Sequence, residues 1–499
     1  MTNIADILRA AAETHGDRTA LICQGKRWSY DELWAAARGA ATLFRDSGAR
    51  YVALLDRNGA AGVIALFGAA LAGLPYAPLN YRRADADLRA LLDRVAPACL
   101  IAGDARAARL GAAIVQDADA FVTAARAATP ADIDAEDGVA VQIFTSGTTG
   151  APKAALLRHA HLLAYVAATA APASAAPHEG SLVSVPPYHI ANIVALLAAI
   201  HARRRLILLP AFETDAWLRL VEAEAPSYAF LVPTMLARIL DRIDDAGAAR
   251  LGSLTAISYG AGRMPADLLN RALTRFPNAR FTNAYGLTET SATICSLSPE
   301  DHRAAHAATD PAVRARLQSA GRSLPGIEIA VRDPAGAPLP AGRRGEVFAR
   351  GQQVSGQYHD RDARDADGWF ATRDLGWRDA DGYLFLAGRA DDIIVRGGEN
   401  ISPGEIEDVL LAHPAIADAC AVGLPSREWG ETIGVALVLR PGHAAPADAA
   451  IRTLVRDRLR SAHVPERIAV LDALPYNELG KLLRREVRAS PLLRTPASL

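Results

Sequence analysis

Lysine is nearly absent from this chain of 499 residues, which has only three lysines among 54 basic residues. Because arginine supplies almost every positive charge, a lysine retained inside a glycine-containing motif indicates a specific role. Two of the three, Lys153 and Lys481, lie in such motifs. Basic residues are also balanced by 55 acidic ones and form no stripe along the sequence. This composition argues against binding to nucleic acid.

Cysteine and long apolar runs are scarce as well. The four cysteines are widely separated: Cys23, Cys99, Cys295 and Cys420. This spacing forms no metal-type pair and predicts reduced, mostly buried thiols in a cytoplasmic protein. Residues 58–81 carry no charge, but their continuous apolar part, Val63 to Leu74, is too short to span a bilayer and favours a buried helix. No signal peptide is evident after Met1, so we expect no integral membrane association.

The most informative segment runs from Thr145 to Lys153, with the sequence Thr-Ser-Gly-Thr-Thr-Gly-Ala-Pro-Lys. It follows a short apolar run, 141–144, that predicts a buried strand. Its glycines permit positive φ and inward-turned amides, and its hydroxyls and Lys153 can bind phosphate oxygens. The segment is not a Gly-x-x-x-x-Gly-Lys-Ser/Thr loop, since Pro152 precedes the lysine. We therefore predict a polyphosphate-binding loop that contains Thr145, Ser146, Gly147, Thr148, Thr149, Gly150 and Lys153.

The length predicts more than one domain. Short apolar runs separated by helical patterns predict parallel α/β layers up to about residue 320. Such runs begin at Tyr51, Arg205, Tyr228 and Leu254. From about residue 320, alternating polar and apolar residues between turns predict a smaller antiparallel β unit.

The C-terminal segment has its own pattern. We predict a helix over Glu405–Ala412 with a capping box from Ser402 to Glu405, a strand over Gly434–Leu439 and a helix over Ile451–Leu459. We place the domain boundary near Asp391, which gives an N-terminal domain of residues 1–390 and a C-terminal domain of residues 391–499.

Four further motifs combine with the phosphate loop. They are Asn283–Thr290, Trp369–Gly376, Gly388–Glu407 and Leu474–Lys481. The first places an aromatic ring, a hydroxyl and a carboxylate within five residues, which suits a base, a phosphate and Mg²⁺. In the second, Asp374 can accept hydrogen bonds from ribose hydroxyls.

Together, and in this order, the motifs closely resemble the adenylate-forming superfamily of acyl- and aryl-CoA synthetases, amino-acid adenylation domains and luciferases. The resemblance covers essentially the whole chain and favours the AMP-forming acid–CoA ligase branch. It implies an α/β fold: a large N-terminal domain of two β/α subdomains plus a small β-barrel, with a smaller, mobile C-terminal α+β domain. It also implies ATP, Mg²⁺ and coenzyme A as ligands.

The resemblance further implies roles for individual residues. Tyr285 would contact adenine, Thr288 the α-phosphate, and Glu289 the metal ion. Asp374 and Arg389 would hold the ribose, and Lys481 would bridge the substrate carboxylate and the nucleotide. The remaining nucleotide-binding positions are Gly260, Ala261, Asn283, Ala284 and Gly286. Thr288, Glu289, His189 and Lys481 are the implied catalytic residues.

The same resemblance places the other ligands. His189 would lie beside the carboxylate pocket, and Gly397 and Gly398 would line the pantetheine tunnel. The acyl-binding positions are His189, Ile190, Tyr259, Gly260 and Gly286. These and the neighbouring pocket positions are mostly small or apolar, which permits an aromatic, alicyclic or medium-chain acid.

Some positions depart from the commonest pattern of the superfamily. Arg373 stands where glycine is usual before the ribose-binding aspartate, Ala154 where glycine usually follows the loop lysine, and Asp391 rather than lysine occupies the hinge. None of these changes removes a catalytic group.

Two alternatives to the CoA ligase stay open. One is a stand-alone enzyme that loads a non-amino-acid carboxylate onto the phosphopantetheine of a carrier protein. Amino acids are disfavoured because no acidic residue occurs between Gly180 and Ala211 to bind an α-amino group. The other is a non-catalytic nucleotide-binding homologue. Against it stands the presence of four residues: Lys153, Glu289, Asp374 and Lys481. A monomer and a homodimer are both compatible with the sequence.

Overall fold

The computed structural model describes residues 1–103, 107, 109–112, 114–130, 138–145, 152–477 and 482–494. The chain forms two compact units. One consists of Met1–Ile329 with Ala349–Phe370, and the other of Ala330–Phe348 with Ala371–Leu499. The predicted hinge at Asp391 stays a prediction.

The strands are distributed along the whole chain. In chain order they are β1 (Thr19–Cys23), β2 (Lys26–Ser29), β3 (Tyr51–Leu55), β4 (Tyr76–Pro78), β5 (Ala98–Ala102), β6 (Ile114–Asp117), β7 (Val139–Thr145), β8 (Lys153–Arg158), β9 (Gly180–Val183), β10 (Arg205–Leu208), β11 (Tyr228–Leu231), β12 (Ala256–Gly260), β13 (Arg280–Leu287), β14 (Ala292–Leu297), β15 (Arg322–Ser323), β16 (Ile327–Arg332), β17 (Gly345–Gly351), β18 (Phe370–Arg378), β19 (Leu384–Arg389), β20 (Ile394–Arg396), β21 (Glu399–Ile401), β22 (Ile416–Ser426), β23 (Gly430–Leu439) and β24 (Arg467–Val470).

The α-helices alternate with these strands. They are α1 (Ala5–His15), α2 (Tyr30–Asp46), α3 (Ala60–Ala72), α4 (Asp85–Asp93), α5 (Ala118–Ala127), α6 (His159–Thr169), α7 (Ile190–Ala202), α8 (Thr214–Glu224), α9 (Pro233–Arg242), α10 (Asp245–Arg250), α11 (Ala266–Arg275), α12 (Pro299–Ala307), α13 (Pro311–Ala315), α14 (Pro403–Leu411), α15 (Asp448–Arg458), α16 (Arg484–Ala489) and α17 (Pro491–Arg494).

Two largely parallel sheets form the first unit. Among the described residues, a nine-stranded sheet has the order β15-β14-β13-β12-β11-β9-β10-β1-β2, and a six-stranded sheet has the order β6-β5-β3-β4-β7-β8. Strand β5 is a continuous apolar run, and β10 is apolar after its first residue, Arg205, as expected for parallel strands covered on both faces. The parallel α/β prediction is confirmed. The strands predicted from Tyr51, Arg205 and Tyr228 begin at those residues, and the run from Leu254 becomes a strand at Ala256.

The charge-free segment 58–81 contains α3, whose side chains are almost all buried. The prediction of a buried helix here is confirmed. In the described part of the chain, no helix combines the length and the apolar character needed to cross a membrane.

Strands β16 to β19 form a four-stranded sheet, in which β18 and β19 pair antiparallel. The second unit also holds a sheet of β21-β20-β23-β22, with β24 added beside β23. Helices α14 and α15 pack their apolar faces on this sheet, through Ile406, Leu410, Ile451 and Val455. The predicted helices and strand of this region are confirmed, with the strand extended to Gly430–Leu439.

The predicted capping box at α14 is wrong in its bonding. Ser402 does occupy the N-cap position, but its hydroxyl donates to the carbonyl of Ala387. Glu405 pairs instead with Arg344 (3.2 Å) and His463 (3.3 Å). The sequence pattern indicated the start of the helix correctly. The side chains of Ser402 and Glu405, however, bond to residues that are distant in the chain and not to each other's backbone.

Candidate active site

The predicted phosphate loop connects two antiparallel strands. β7 and β8 pair so that Thr145 stands opposite Lys153. The strand predicted over 141–144 is confirmed as part of β7, so the loop leaves from a strand end and returns at Lys153. Five predicted phosphate-binding residues lie outside the described residues: Ser146, Gly147, Thr148, Thr149 and Gly150.

An extended segment, residues 355–359, covers the outer edge of β8. Leu156 N donates to the carbonyl of Gln357 (2.9 Å), and His359 N donates to that of Ala154 (3.1 Å). This pairing brings Tyr358 to the base of the phosphate loop, where the ammonium of Lys153 lies 5.8 Å from the ring centroid. Sequence reasoning missed Tyr358, because no local pattern marks a residue whose partners are so distant in the chain.

Glu289 lies in a one-turn 3-10 helix, Thr288–Thr290, directly after β13. Two residues of a distant segment bond the backbone of this turn. Gly356 N donates to the Glu289 carbonyl (2.9 Å), and Gln353 Nε2 donates to the Thr290 carbonyl (3.1 Å). The hydroxyl of Tyr358 donates to Glu289 Oε1 at 2.8 Å. Thr288 and Glu289 are both half-buried.

Non-glycine residues with positive φ occur beside these motifs. Ser291 and Ala292, which follow the 3-10 helix, have φ of 54° and 81°, and Ala261 has φ of 64°. This region of φ costs an L-residue about 1 kcal/mol or more and is found mainly at turns and functional sites. The surrounding sheet therefore holds both segments in strained conformations.

The nucleotide motif and the loop from Gly260 lie at one edge of the nine-stranded sheet. β12 and β13 are parallel, with Gly260 opposite Ala284, so their carboxyl ends meet at the same edge. A Cβ at Gly260 would lie 2.3 Å from the Ala284 carbonyl oxygen, and one at Gly286 would lie 1.7 Å from that of Ala292. Close backbone packing thus requires both glycines, whatever ligand they also face.

Two side chains of the nucleotide motif, Tyr285 and Asn283, contact other parts of the protein. Tyr285 packs against the apolar cluster of Ile294 and Phe370. Asn283 Nδ2 donates to the carbonyl of Ser319 at 2.9 Å. The adenine contact predicted for Tyr285 stays a prediction.

Tyr259 is fully buried, and its hydroxyl lies 2.8 Å from His302 Nε2. The other ring nitrogen, Nδ1, donates to the carbonyl of Ser298 (2.8 Å), so Nε2 accepts the Tyr259 proton. Burial lowers the pKa of His302 to about 4, which keeps this ring neutral. Because the phenol ring lies in the core, any acyl contact of Tyr259 must come from its backbone.

His189 immediately precedes α7, a helix whose side chains are mostly buried. Its ring centroid lies 4.6 Å from that of Tyr188, which in turn meets Tyr81 edge-on at 5.6 Å. His189 Nε2 is sealed from solvent and has no hydrogen-bond partner among the described residues. Burial and the charge of Arg82 lower the pKa of His189 to about 3, so the imidazole is neutral at physiological pH.

Asn192, in the first turn of α7, is buried, and its side-chain amide bonds other protein groups. Its amide donates to Asn58 Oδ1 and to the carbonyl of Val185, both at 2.8 Å. Asn58 Nδ2 also donates to Val185 (2.9 Å), so the two amides tie the loop before His189 to the chain after β3. Ile190 is half-buried at the first turn of α7 and packs beside the core.

In the second unit, the two predicted ribose-binding residues are brought together. Asp374 and Arg389 are cross-strand neighbours in β18 and β19, with an Arg Nη1 to Asp Oδ1 distance of 3.3 Å. Thr372 Oγ1 accepts from Asp374 N (3.1 Å), which fixes the backbone beside the carboxylate. Asp374 is buried, with its charge compensated by Arg389.

The residue before Asp374 explains why the superfamily favours glycine there. Arg373 has φ of 63°, a conformation natural to glycine. Its guanidinium lies 3.4 Å from the carboxylate of Asp391, the predicted hinge residue. Asp391 lies in the 3-10 helix Ala390–Asp392.

Gly397 and Gly398 are the two loop residues of the hairpin formed by β20 and β21. Their φ values of 57° and 82° suit a two-residue turn of this kind. A Cβ at Gly397 would lie 2.9 Å from the ring of Trp429, whereas one at Gly398 would meet nothing within 4 Å. The turn alone accounts for both glycines, so their predicted contact with pantetheine needs a separate test.

Lys481 lies outside the described residues. On either side of residues 478–481, Tyr476 bridges to Leu482, and Leu483 N donates to the Pro475 carbonyl (2.8 Å). Arg484 makes a partly buried ion pair with Glu407.

The described residues contain no group of three His, Cys, Asp or Glu side chains that could hold a metal ion. A single carboxylate at Glu289 is nevertheless sufficient for Mg²⁺ that arrives with a nucleotide, because Mg²⁺ is commonly held by one or two carboxylates plus phosphate oxygens. The donor set at Glu289 fits that kind of ion.

Comparisons with known proteins agree with the geometry. A family model for AMP-binding enzymes matches residues 8–359, and one for the AMP-binding enzyme C-terminal domain matches residues 405–481. Feruloyl-CoA synthase from Amycolatopsis is 31% identical over 97% of this chain and 97% of its own length. Fatty acid–[acyl-carrier-protein] ligase ScoC from Streptomyces coeruleorubidus is 30% identical over 94% of this chain and 92% of its length.

Solved structures of o-succinylbenzoate CoA synthetase from Bacillus subtilis share the fold. The complex with the acyl-adenylate intermediate OSB-AMP has a TM-score of 0.83 and 28% identity, and covers 97% of each chain. The complex with ATP and magnesium ion has a TM-score of 0.82 and 27% identity, and covers 97% of this chain and 99% of the other.

Proposed function

This chain belongs to the family of AMP-binding enzymes, and we propose that it joins an aromatic, alicyclic or medium-chain carboxylic acid to coenzyme A. It is an AMP-forming acid–CoA ligase, which uses ATP, Mg²⁺ and coenzyme A. The identity of the acyl group is the inferred part of this assignment.

The rings around His189 support an apolar acyl group. Tyr81, Tyr188 and His189 form a row of aromatic rings, and the neutral imidazole adds no charge to it. Of the other predicted acyl positions, Ile190, Gly260 and Gly286 carry no polar side chain, and the hydroxyl of Tyr259 is bonded to His302 in the core. Apart from the guanidinium of Arg82, which lies 5.6 Å from the Tyr81 ring centroid, these side chains bring no charge, so they favour a flat or apolar acyl group over a small dicarboxylate.

Adenylation brings a carboxylate to the α-phosphate, so positive charge must offset the repulsion between two anions. A carboxylate oxygen bonds to the α-phosphorus as pyrophosphate leaves, which yields an acyl-adenylate. We assign Lys153 and Thr288 to the phosphates, Lys481 to the substrate carboxylate and Glu289 to the metal. Mg²⁺, when bound, neutralises phosphate charge.

In the second half-reaction the thiol sulfur of coenzyme A attacks the acyl carbonyl. The bond between the carbonyl carbon and the bridging oxygen breaks, AMP leaves with that oxygen and the bonding electrons, and the thiol proton passes to solvent. The thiol approaches from another direction than the carboxylate, so the same site needs two arrangements of the C-terminal domain in turn. We propose that this domain moves about a hinge at Asp391.

One observation carries the nucleotide assignment: Tyr358 connects Glu289 with Lys153 where the phosphate loop returns to β8. A carboxylate and a lysine brought together from two distant motifs are what a metal–triphosphate ligand requires.

We expect ATP–pyrophosphate exchange with aromatic, alicyclic or medium-chain acids, and none with acetate or α-amino acids. A library of carboxylic acids, assayed with labelled pyrophosphate, measures this directly. Exchange confined to acetate or amino acids would contradict the proposed acyl group, and no exchange with any acid would contradict adenylation itself.

Carrier loading is the second candidate, favoured by the similarity to ScoC, which is a fatty acid–[acyl-carrier-protein] ligase. Free coenzyme A and phosphopantetheinylated carrier proteins should be compared as acceptors of the same acyl-adenylate. Transfer to carriers alone would replace coenzyme A as the acceptor and leave the adenylation step unchanged.

A leucine at Gly398 is expected to slow thioester formation about 10-fold or more and to leave acyl-adenylate formation close to normal. The added side chain would meet open space in this structure, where we place the pantetheine arm. The two half-reactions are measured separately, by pyrophosphate release without coenzyme A and by thioester formation from preformed acyl-adenylate.

Gly442 provides a matched control. It has φ of 80°, against 82° at Gly398, and its Cβ would likewise meet nothing within 4 Å. Gly442→Leu therefore introduces the same backbone strain without obstructing the tunnel. Equal losses in both half-reactions for Gly398→Leu would assign the glycine to the turn alone.

A further inference from the structure

Tyr358 reaches the phosphate loop through strand pairing. Ala155 and Tyr358 form an antiparallel bridge, and hydrogen bonds from Leu156 and His359 extend it in both directions. The hydroxyl of Ser355 also donates to the carbonyl of Leu156. Position 358 is therefore fixed by backbone and does not depend on the tyrosine hydroxyl.

The hydroxyl of Tyr358 has a specific acceptor, Oε1 of Glu289 at 2.8 Å. No other hydrogen bond or ion pair of this carboxylate occurs among the described residues. A half-buried carboxylate with one oxygen held by a neutral donor still has its second oxygen for a ligand. That arrangement suits a group that must coordinate a cation.

The ring of Tyr358 also contacts two cations. Lys153 Nζ lies 5.8 Å and Arg361 Cζ lies 5.5 Å from the ring centroid. An aromatic ring attracts such charges weakly without neutralising them, so an anionic ligand can still bind the lysine. The Tyr358 side chain thus contacts both the Glu289 carboxylate and the Lys153 ammonium. Without it, the positions of these two charged groups would depend on their own flexible side chains.

We propose that Tyr358 is a positioning residue, which holds the Glu289 carboxylate and the Lys153 ammonium for a complex of a divalent cation with a nucleoside triphosphate. This inference rests on the proposed function of the same site. Tyr358 itself needs no contact with the reacting atoms.

Tyr358→Phe removes the hydroxyl and keeps both the ring and the strand pairing. We expect the Mg²⁺ concentration at half-maximal adenylation to rise about 10-fold, with a smaller change in kcat at saturating Mg²⁺. Calorimetry with a non-hydrolysable ATP analogue gives an independent readout. Binding of the Mg²⁺ complex should weaken by a similar factor, while binding of AMP without metal should stay unchanged.

Tyr30→Phe is the matched control. The Tyr30 hydroxyl donates to the carbonyl of Arg204 at 3.0 Å, so this variant also loses one hydrogen bond from a tyrosine that is not exposed. It should lower thermal stability without changing the Mg²⁺ dependence. An unchanged Mg²⁺ dependence in Tyr358→Phe would overturn the proposal, as would an equal loss of binding for AMP and for the Mg²⁺ complex.

The double variant Tyr358→Phe/Glu289→Gln tests whether Tyr358 acts through the Glu289 carboxylate or affects the site in some other way. If Tyr358 acts through that carboxylate, Tyr358→Phe should cause little further loss in a Glu289→Gln background. Additive losses would overturn the proposal. Failure of adenylation in the unmodified protein would instead refute the proposed function, so the two failures are distinguishable.

Discussion

Replacement of Lys481 by alanine is expected to reduce acyl-adenylate formation about 10³-fold, equivalent to about 4 kcal/mol of transition-state stabilisation. The reason is electrostatic: the attacking carboxylate and the α-phosphate are both anionic, and Lys481 is the cation that we place between them. Preformed acyl-adenylate should still react with coenzyme A at close to the normal rate. Pyrophosphate release and thioester formation, measured separately, test both parts.

Arginine at position 481 should restore little activity. Its planar guanidinium is larger and donates in a fixed plane, whereas an ammonium can follow a charge that moves during the reaction. Lys26 is the control, since it is exposed in β2, and both Lys26→Ala and Lys26→Arg should leave adenylation unchanged. A Lys481→Arg variant with full activity would refute the catalytic assignment.

The fold should survive these changes at position 481. The flanking chain is held by other residues: the Tyr476 hydroxyl donates to Asp418 (2.7 Å), and Arg484 Nη2 donates to Glu407 (2.8 Å). Loss of activity with an unchanged melting temperature would therefore indicate chemistry rather than unfolding.

The secondary structure of the first unit could be predicted because its strands are short apolar runs. Strands such as β3 and β10 are buried on both faces of a parallel sheet, so burial alone determines their composition. The hairpin loop at Gly397 and Gly398 was not predicted, because the resemblance assigned both glycines to the pantetheine tunnel. The positive φ values at Gly397 and Gly398 follow from a two-residue hairpin loop.

Side-chain pairs between distant segments could not be predicted in the same way. The bond between Tyr358 and Glu289, and that between Tyr259 and His302, each join residues whose local sequence gives no sign of the partner. The capping-box prediction was wrong for the same reason: the Ser402 hydroxyl donates to the carbonyl of Ala387, which the local sequence does not indicate. Motifs indicated which residues matter, and tertiary packing determined what each side chain touches.

Glu289→Gln should reduce adenylation about 10²-fold or more at limiting Mg²⁺, with partial recovery as Mg²⁺ is raised. Glutamine has nearly the same shape, and its amide oxygen can still accept from Tyr358, so the fold should be retained. The charge that attracts the metal is lost. Pyrophosphate release as a function of Mg²⁺ concentration measures the effect, with circular dichroism as the check on folding.

The competing explanation for Glu289 is that it only satisfies amides at the start of its own helical turn. The structure argues against it, since the partner of the carboxylate is the Tyr358 hydroxyl, donated from 69 residues away. Glu300→Gln is the control, because Glu300 is an exposed carboxylate in the first turn of α12 that pairs with Arg303. If Glu289→Gln kept the Mg²⁺ dependence of the unmodified protein, as Glu300→Gln should, the carboxylate would have no role in metal binding.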